Sequence, residues 1–204
     1  MIIKLPQPKP VNSVSLESAL AQRATKREYL DNELSLISLS CLLFSAQGIR
    51  GSGGKLLAPS AQEQYPLTTY IAVNRVADVD KGLYQYENTD HSIVKLQNGC
   101  FAESLENAAI GEQPWVSSAA AVIILAGNIS SMNRNFSEQP PLNKRGERYN
   151  YIEVGAVAQN IQLQGTVLNV GMVLVGGFDN EGVKTLLNLP PELEPSALLC
   201  LGNV

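Results

Sequence analysis

The stretch AAAVIILAG, residues 119–127, is the longest apolar run in the chain. A membrane-spanning helix needs about 20 apolar residues. This run is too short for that, so it reads as a strand buried in a folded core. The second constraint is the segment 150–168, a helical pattern apolar on most of its faces. Such a helix needs cover on more than one side. In a chain of 204 residues that cover comes either from a second copy, as a homodimer, or from the chain's own layers on both sides of the helix.

Other elements fall around these two. Residues 1–14 read as an extended arm, with three prolines between 4 and 12. Ser15 is placed to cap a helix over LESALAQR, and Ser35 to cap one over LISLSCLLFSAQ, with Gly48 as its stop. RGSGGK (50–55) reads as a flexible loop. PSAQEQYP (59–66) has a proline at each end and reads as a rigid turn. TTYIAVNRV reads as a strand, and GLYQYENTDHSIVKL as a hairpin of one aromatic and one aliphatic strand. A helix is expected near 101–112. Residues 130–148 are polar and carry Pro140 and Pro141, so they read as a long mobile loop. GMVLVGGF reads as a strand ending in a glycine pair. Asp179 is expected to cap a short helix, and SALLCLG is a final strand. Helices mix with hairpins and no repeat is visible, so the fold class is α+β in a single domain, 1–204.

Charge and composition exclude several functions. Hydrophobic residues make up 45% and charged residues 17% of a chain with net charge −4. This is a globular composition, with no basic surface for nucleic acid or membrane. Cys41, Cys100 and Cys200 are far apart and odd in number, and His91 is the single histidine. A disulfide framework, a metal centre and a Ser-His-Asp triad are therefore not expected, and a reducing cytoplasm fits. His91 itself reads as a surface or turn residue. The N-terminus, MIIKLPQPKPVNS, shows no signal-peptide pattern.

Three places remain where chemistry can sit. RATKREYL (23–30) is the densest basic stretch. If it is extended, alternating residues point the same way, so Arg23, Thr25 and Arg27 form a grip for phosphate oxygens. A solvated basic helix end is the alternative. PSAQEQYP, with Ser60 on a stiff turn, lines a ring system or ends a strand. VGGF (175–178) either lets a planar ligand approach the backbone or is an ordinary turn. There is no GxGxxG and no P-loop pattern, and no protein acid, base or nucleophile stands out. A cofactor then carries the reaction, and a phosphate grip with glycine amides for a flat ring points to flavin mononucleotide.

Taken in order, these pieces resemble the FMN-dependent nitroreductase superfamily, and within it the SagB-type dehydrogenase branch. IKLPQP followed by SLESALAQRATKREYL is similar to the branch's opening, with Arg23, Thr25, Arg27 and Tyr29 in the places of its Arg-Arg-Ser-x-Arg-x-aromatic motif. Ala24 replaces the second Arg. LLFSAQGI, APSAQEQYPLTTYI, GLYQYENTDHSIVKL, YIEVGAVAQNIQLQ and VGGFDNEGVKTLLNLP match the motifs that follow, over nearly the whole chain.

The resemblance implies an FMN-binding fold with a central, mostly antiparallel sheet flanked by helices. It also implies an intertwined homodimer with FMN at the interface. It assigns the phosphate to Arg23, Thr25 and Arg27, with Ala24 contributing backbone. It lays the partner chain's Pro59, Ser60 and Ala61 along the ring system, with Glu63 nearby. Gly176 and Gly177 offer amides near the flavin N5, beside Val175, and Gln113 reaches the polar edge. The implied reaction is ping-pong, from NADH or NADPH through FMN to a small acceptor such as a nitro compound or quinone, with no protein catalytic residue. NKRGERYNY departs from the azoline-oxidising members: Lys144 is present, but Arg145 stands where their tyrosine would be. Lys144, Arg148 and Tyr149 remain candidates for the substrate pocket. Two rival readings are a flavin-binding protein without NAD(P)H turnover and a cofactor-free structural dimer.

Overall fold

A computed structural model describes residues 1–8 and 14–204. The expected arm at 1–14 lies partly outside these residues. Its described start forms β1 (Ile2–Lys4), which pairs antiparallel with β6 (Ser92–Asn98). Helices α1 (Leu16–Gln22) and α2 (Leu36–Gln47) follow. Both start as the sequence predicts: Ser15 Oγ accepts from the Ser18 amide, and Ser35 Oγ from the Ser38 amide. A small hairpin, β2 (Ile49–Arg50) with β3 (Lys55–Leu56), has the expected glycine loop as its tip.

The main sheet also contains β4 (Leu67–Val73), β5 (Gly82–Glu87), β7 (Ala121–Gly127), β8 (Val170–Val175) and β9 (Glu194–Asn203). Its strand order is β1-β6-β5-β4-β7-β9-β8. Every pairing is antiparallel. The remaining helices are α3 (Ala102–Ala108), α4 (Trp115–Ser118), α5 (Ile129–Asn135), α6 (Arg145–Leu168) and α7 (Asn180–Leu187); Asp179 stands at the start of α7, but its side chain makes no capping bond.

The apolar run became β7, between β4 and β9. Its side chains alternate between two cores. Ala121, Ile123 and Leu125 join a core built with α2 and α6. Val122, Ile124 and Ala126 join a second core with α3, α4 and α7. Side chains alternate across a strand, so a strand covered on both faces must be apolar at every position. Burying each of Ile123, Ile124 and Leu125, all fully inaccessible, contributes roughly 1.5–3 kcal/mol.

Helix α6 lies across one face of the sheet. Asn150, Glu153, Val154, Val157, Ala158 and Ile161 form its buried stripe. On its far side Tyr151 and Ile152 are exposed. An apolar groove of about 360 Å³ beside it is lined in part by Leu16, Leu57, Leu163 and Val167. The sheet thus covers only part of its apolar surface.

One expectation needs correction. Residues 130–148 are not a single loop. Asn128 Oδ1 accepts from the Ser131 amide (3.0 Å) and caps α5. Met132 and Phe136, four apart, are both buried, and α6 begins at Arg145 rather than 150. Short polar helices have a weak apolar period, and the proline pair hid this one.

His91 also differs from the reading. It stands in the hairpin turn at φ 46°, but it is only 6% exposed. Ser40 Oγ–H donates to the Pro6 carbonyl (2.5 Å), so Ser40 accepts from His91 Nε2–H (2.7 Å). His91 Nδ1 then accepts from Tyr86 OH (2.8 Å). Burial lowers the imidazole pKa, and the Pro6 carbonyl partly opposes that. His91 is therefore a structural clamp between the arm, α2 and the hairpin.

Candidate functional site

The basic segment runs as extended chain along β8, the last strand of the sheet. The Lys26 amide donates to the Met172 carbonyl (2.9 Å), and the Leu30 amide to that of Asn203 (2.9 Å). Tyr29 fastens it: its hydroxyl donates to the Cys200 carbonyl (3.0 Å). Its ring occupies the space beside Gly202, where a Cβ would fall 2.6 Å from Tyr29 Cγ. Burial raises the pKa of the Tyr29 phenol far above its ordinary value.

This anchoring leaves Thr25 and Arg27 exposed and Arg23 half-buried. Neither arginine is in an ion pair among the described residues. Their guanidiniums rest on different helices. Arg23 Nη1 donates to Gln162 Oε1 on α6 (3.3 Å). The Arg27 guanidinium carbon lies 5.1 Å from the centre of the Trp115 ring on α4. These helices belong to the cores on opposite faces of the sheet, so the two guanidiniums do not face one side together as the alternation of an extended segment predicts.

Gly176 and Gly177 leave the end of β8. Gly176 is exposed, and nothing lies within 4 Å of the place a Cβ would take. Its backbone is open to a flat ligand. Gln113 sits beside the pair: its Nε2 donates to the Gly177 and Ile110 carbonyls, each at 2.9 Å. The neighbouring Trp115 Nε1 is buried without a hydrogen-bond partner. Unpaired cations, an open glycine and an orphaned donor fit an anionic, planar cofactor such as FMN.

Pro59, Ser60, Ala61 and Glu63 lie on the predicted turn, which contains a short 3-10 segment, Ala61–Glu63. Ser60 Oγ accepts from the Tyr65 amide (2.8 Å), and Glu63 pairs with Lys55. The turn enters β4 at the sheet end where Gly176 leaves β8, since Leu67 pairs with Gly127 and Val175 with Leu198. Strands β7 and β9 stand between them. Three strand spacings amount to about 14 Å. Within one chain the turn and the glycine pair are therefore held apart.

Lys144 and Arg148 are exposed at the start of α6. Tyr149 is a packing residue: its hydroxyl donates to Gln139 Oε1 (2.7 Å), and its ring meets Phe136 at 4.7 Å between centroids.

Trp115, Gln162 and Glu153 are neighbours of the site that reading the sequence missed. Trp115 is the only tryptophan and follows Gln113 by two residues, which is a weak signal. Nothing local marks Gln162, which reaches Arg23 across 139 positions. Glu153 is 3% exposed beneath the turn. Burial raises its pKa to about 7, against a lowering contribution from the Ser60 hydroxyl.

A family model described as the nitroreductase family matches residues 20–203. A protein of Methanocaldococcus jannaschii, whose name provisionally assigns it to the nitroreductases, is 35% identical over 189 residues, 93% of this chain and 90% of its own. A crystal structure from Ralstonia eutropha, also provisionally named a nitroreductase, superposes with a TM-score of 0.83 at 25% identity. That match covers 100% of this chain and 89% of the other. A similarly named Anabaena variabilis structure gives a TM-score of 0.78 at 26% identity, over 92% of this chain and 38% of the other. The family match spans nearly the whole chain and the fold is shared end to end, so this chain belongs to the nitroreductase family.

Proposed function

We propose that the chain is an FMN-dependent oxidoreductase of the SagB-type branch, acting as a homodimer in the cytoplasm. The observation that carries this reading is the edge of β8. Two guanidiniums without carboxylate partners lie beside this strand, Arg27 on Trp115 and Arg23 on Gln162, and the strand ends in the exposed glycines that Gln113 binds. Arg23, Thr25 and Arg27 bind the phosphate, with the Ala24 backbone. Gly176 and Gly177, with Val175, receive the ring system, and Gln113 holds the glycine loop in place through the Gly177 carbonyl.

The homodimer is supported by the uncovered apolar side of α6 and by the separation of the turn from the glycines. A second copy would bring its own Pro59–Glu63 turn to the ring, which a single chain does not do. FMN supplies hydride transfer from NADH or NADPH to a small organic acceptor, a nitro compound or a quinone. The chain's own part is to bind, orient and shield. Lys144 and Arg148, exposed at the start of α6, are the residues proposed to meet the acceptor. Among the described residues no helix is long and apolar enough to cross a membrane.

The test is the visible spectrum of the purified protein, before and after NADH or NADPH is added without oxygen. Flavin bands that bleach are expected. Flavin bands that persist would favour the binding protein without turnover. A protein that stays colourless after incubation with FMN would refute the reading.

A further inference from the structure

Glu153 is a buried carboxyl for which the flavin reading has no use. Its Oε2 is buried without a hydrogen-bond partner. Against it lies the turn 59–66, in which three non-glycine residues occupy the left-handed region: Gln62 (φ 50°), Glu63 (φ 57°) and Tyr65 (φ 46°). Such backbone persists only where its surroundings over-determine it, and it concentrates at functional sites. Three contacts hold the turn. The Tyr65 amide donates to Ser60 Oγ (2.8 Å), the Leu56 amide to Tyr65 OH (3.3 Å), and Asn135 Nδ2 to Gln64 Oε1 (2.5 Å). The fourth is Ser60 against Glu153. Since Ser60 Oγ already accepts from Tyr65, its own proton is free for the carboxyl.

We infer that Glu153 is a positioning residue: the closed turn, held against it through Ser60, keeps the carboxyl out of water and so favours its neutral form, and ionisation, which the Ser60 hydroxyl only partly offsets, loosens the turn from the shape that receives the flavin. The inference rests on the flavin reading for its consequence, but not for its mechanism. Burial raises the carboxyl to about 7 even against the Ser60 hydroxyl, which lowers it and is its only other influence. The titratable groups on elements packed against α6 are Glu17 on α1, Cys41 on α2, Arg134 on α5, and Glu194 and Cys200 on β9. Glu63 and Tyr65 stand on the turn, and Arg145, Glu147, Arg148, Tyr149 and Tyr151 on α6 itself. None of them enters the shift of Glu153.

The sign follows from linkage. In an opened turn the carboxyl returns toward its ordinary value of 4.5, and in the closed turn it titrates near 7. The closed turn is therefore favoured most below 4.5, loses its advantage as pH rises to about 7, and changes no further above that.

The experiment compares wild type with Glu153→Gln, which is isosteric and cannot ionise. The first readout is hydrogen exchange of the Tyr65 amide in the FMN-free protein, as a protection factor at each pH. The wild-type to Glu153→Gln ratio is expected to fall between about pH 4.5 and 7, by at most about tenfold per pH unit, and to level off above. The second is the FMN Kd by flavin fluorescence, where the wild-type to variant ratio is expected to rise over the same window. Taking the ratio cancels the titration of the FMN phosphate itself. Two flat ratios overturn the inference. A changing Tyr65 ratio with a flat Kd ratio overturns its link to the cofactor. If wild type binds no FMN at any pH, the flavin reading fails while the Tyr65 ratio still decides the role of Glu153. If Glu153→Gln does not fold, the wild-type protection factor alone must fall through the window, and a constant value refutes the inference.

Discussion

Replacing Gly176 by valine separates a ligand role from a fold role. Gly176 is exposed, has no atom within 4 Å of its missing Cβ, and lies outside the left-handed region. The chain itself therefore has room for the branched side chain, and the change in stability should stay within about 0.5 kcal/mol. A bound flavin changes this. For the Gly176 amide to donate to the ring, its nitrogen must come within about 3 Å. A Cβ and two methyls on the same residue then press on the ring. Overpacking of this kind costs roughly 1–3 kcal/mol, which weakens FMN binding about 5- to 150-fold. Gly177→Ala is the graded control, because its Cβ would meet Gln113 Nε2 at 3.7 Å and Ile110 Cβ at 3.9 Å, both ordinary contacts. FMN titrations followed by flavin fluorescence, with thermal melts of the FMN-free proteins alongside, measure the two effects separately. If Gly176→Val binds FMN within twofold of wild type, the glycine pair does not approach the ring. If it lowers the melting temperature of the FMN-free chain by several degrees, the open space is not there.

The double variant Arg23→Ala with Arg27→Ala loses two charge-assisted contacts to the phosphate, each about 1.5–3 kcal/mol. FMN affinity should fall by more than roughly 100-fold with the circular dichroism unchanged; unaltered affinity refutes the phosphate assignment. His91→Phe strips Tyr86 of its partner and removes a donor from Ser40, and should destabilise by about 2–3 kcal/mol in urea unfolding. The His91 pKa is lowered in the fold, so wild-type stability should decline as pH falls below about 6.5, by at most about 1.4 kcal/mol per pH unit; parallel wild-type and variant curves refute the clamp. Gly146→Ala places a Cβ 2.2 Å from the Met132 carbonyl carbon and 2.3 Å from the Asn133 nitrogen. These are backbone atoms of α5, so a loss of about 1–3 kcal/mol is expected in thermal melts, and an unchanged melting temperature would mean α5 does not pack there.

Much of the fold is written in local chemistry. Ser15 and Ser35 carry their caps in the side chain itself, so α1 and α2 start where the sequence says. Unbroken apolarity at 119–127 announces a strand covered on both faces, and β7 has a core on each side. Hairpin 82–98 follows from period-2 alternation about a polar turn. Other features are not local. Helix α5 exists because Met132 and Phe136 find cover and Gly146 lets α6 approach within touching distance, and only the packed chain shows either. His91 sits in a sequence of polar turn residues, yet the arm and α2 close over it and make it a buried clamp.

The candidate site divides the same way. The residues proposed to grip phosphate and to open a backbone to a ring, Arg23, Thr25, Arg27, Gly176 and Gly177, are legible one stretch at a time, because charge and the absence of a side chain are intrinsic. Their partners are not. Gln162 beneath Arg23, Trp115 beneath Arg27 and Glu153 beneath Ser60 are set by how α4 and α6 lie across the sheet. The sequence by itself determined which elements form and which chemistry they carry, since capping, periodicity and charge act over a few residues. Only the tertiary structure decided that β7 and β9 hold the Pro59–Pro66 turn three strands away from the glycine pair, and that a carboxyl with its pKa raised by burial lies against it. Distance between strands and burial of a charge are properties of the packed layers, and no single stretch of chain contains them.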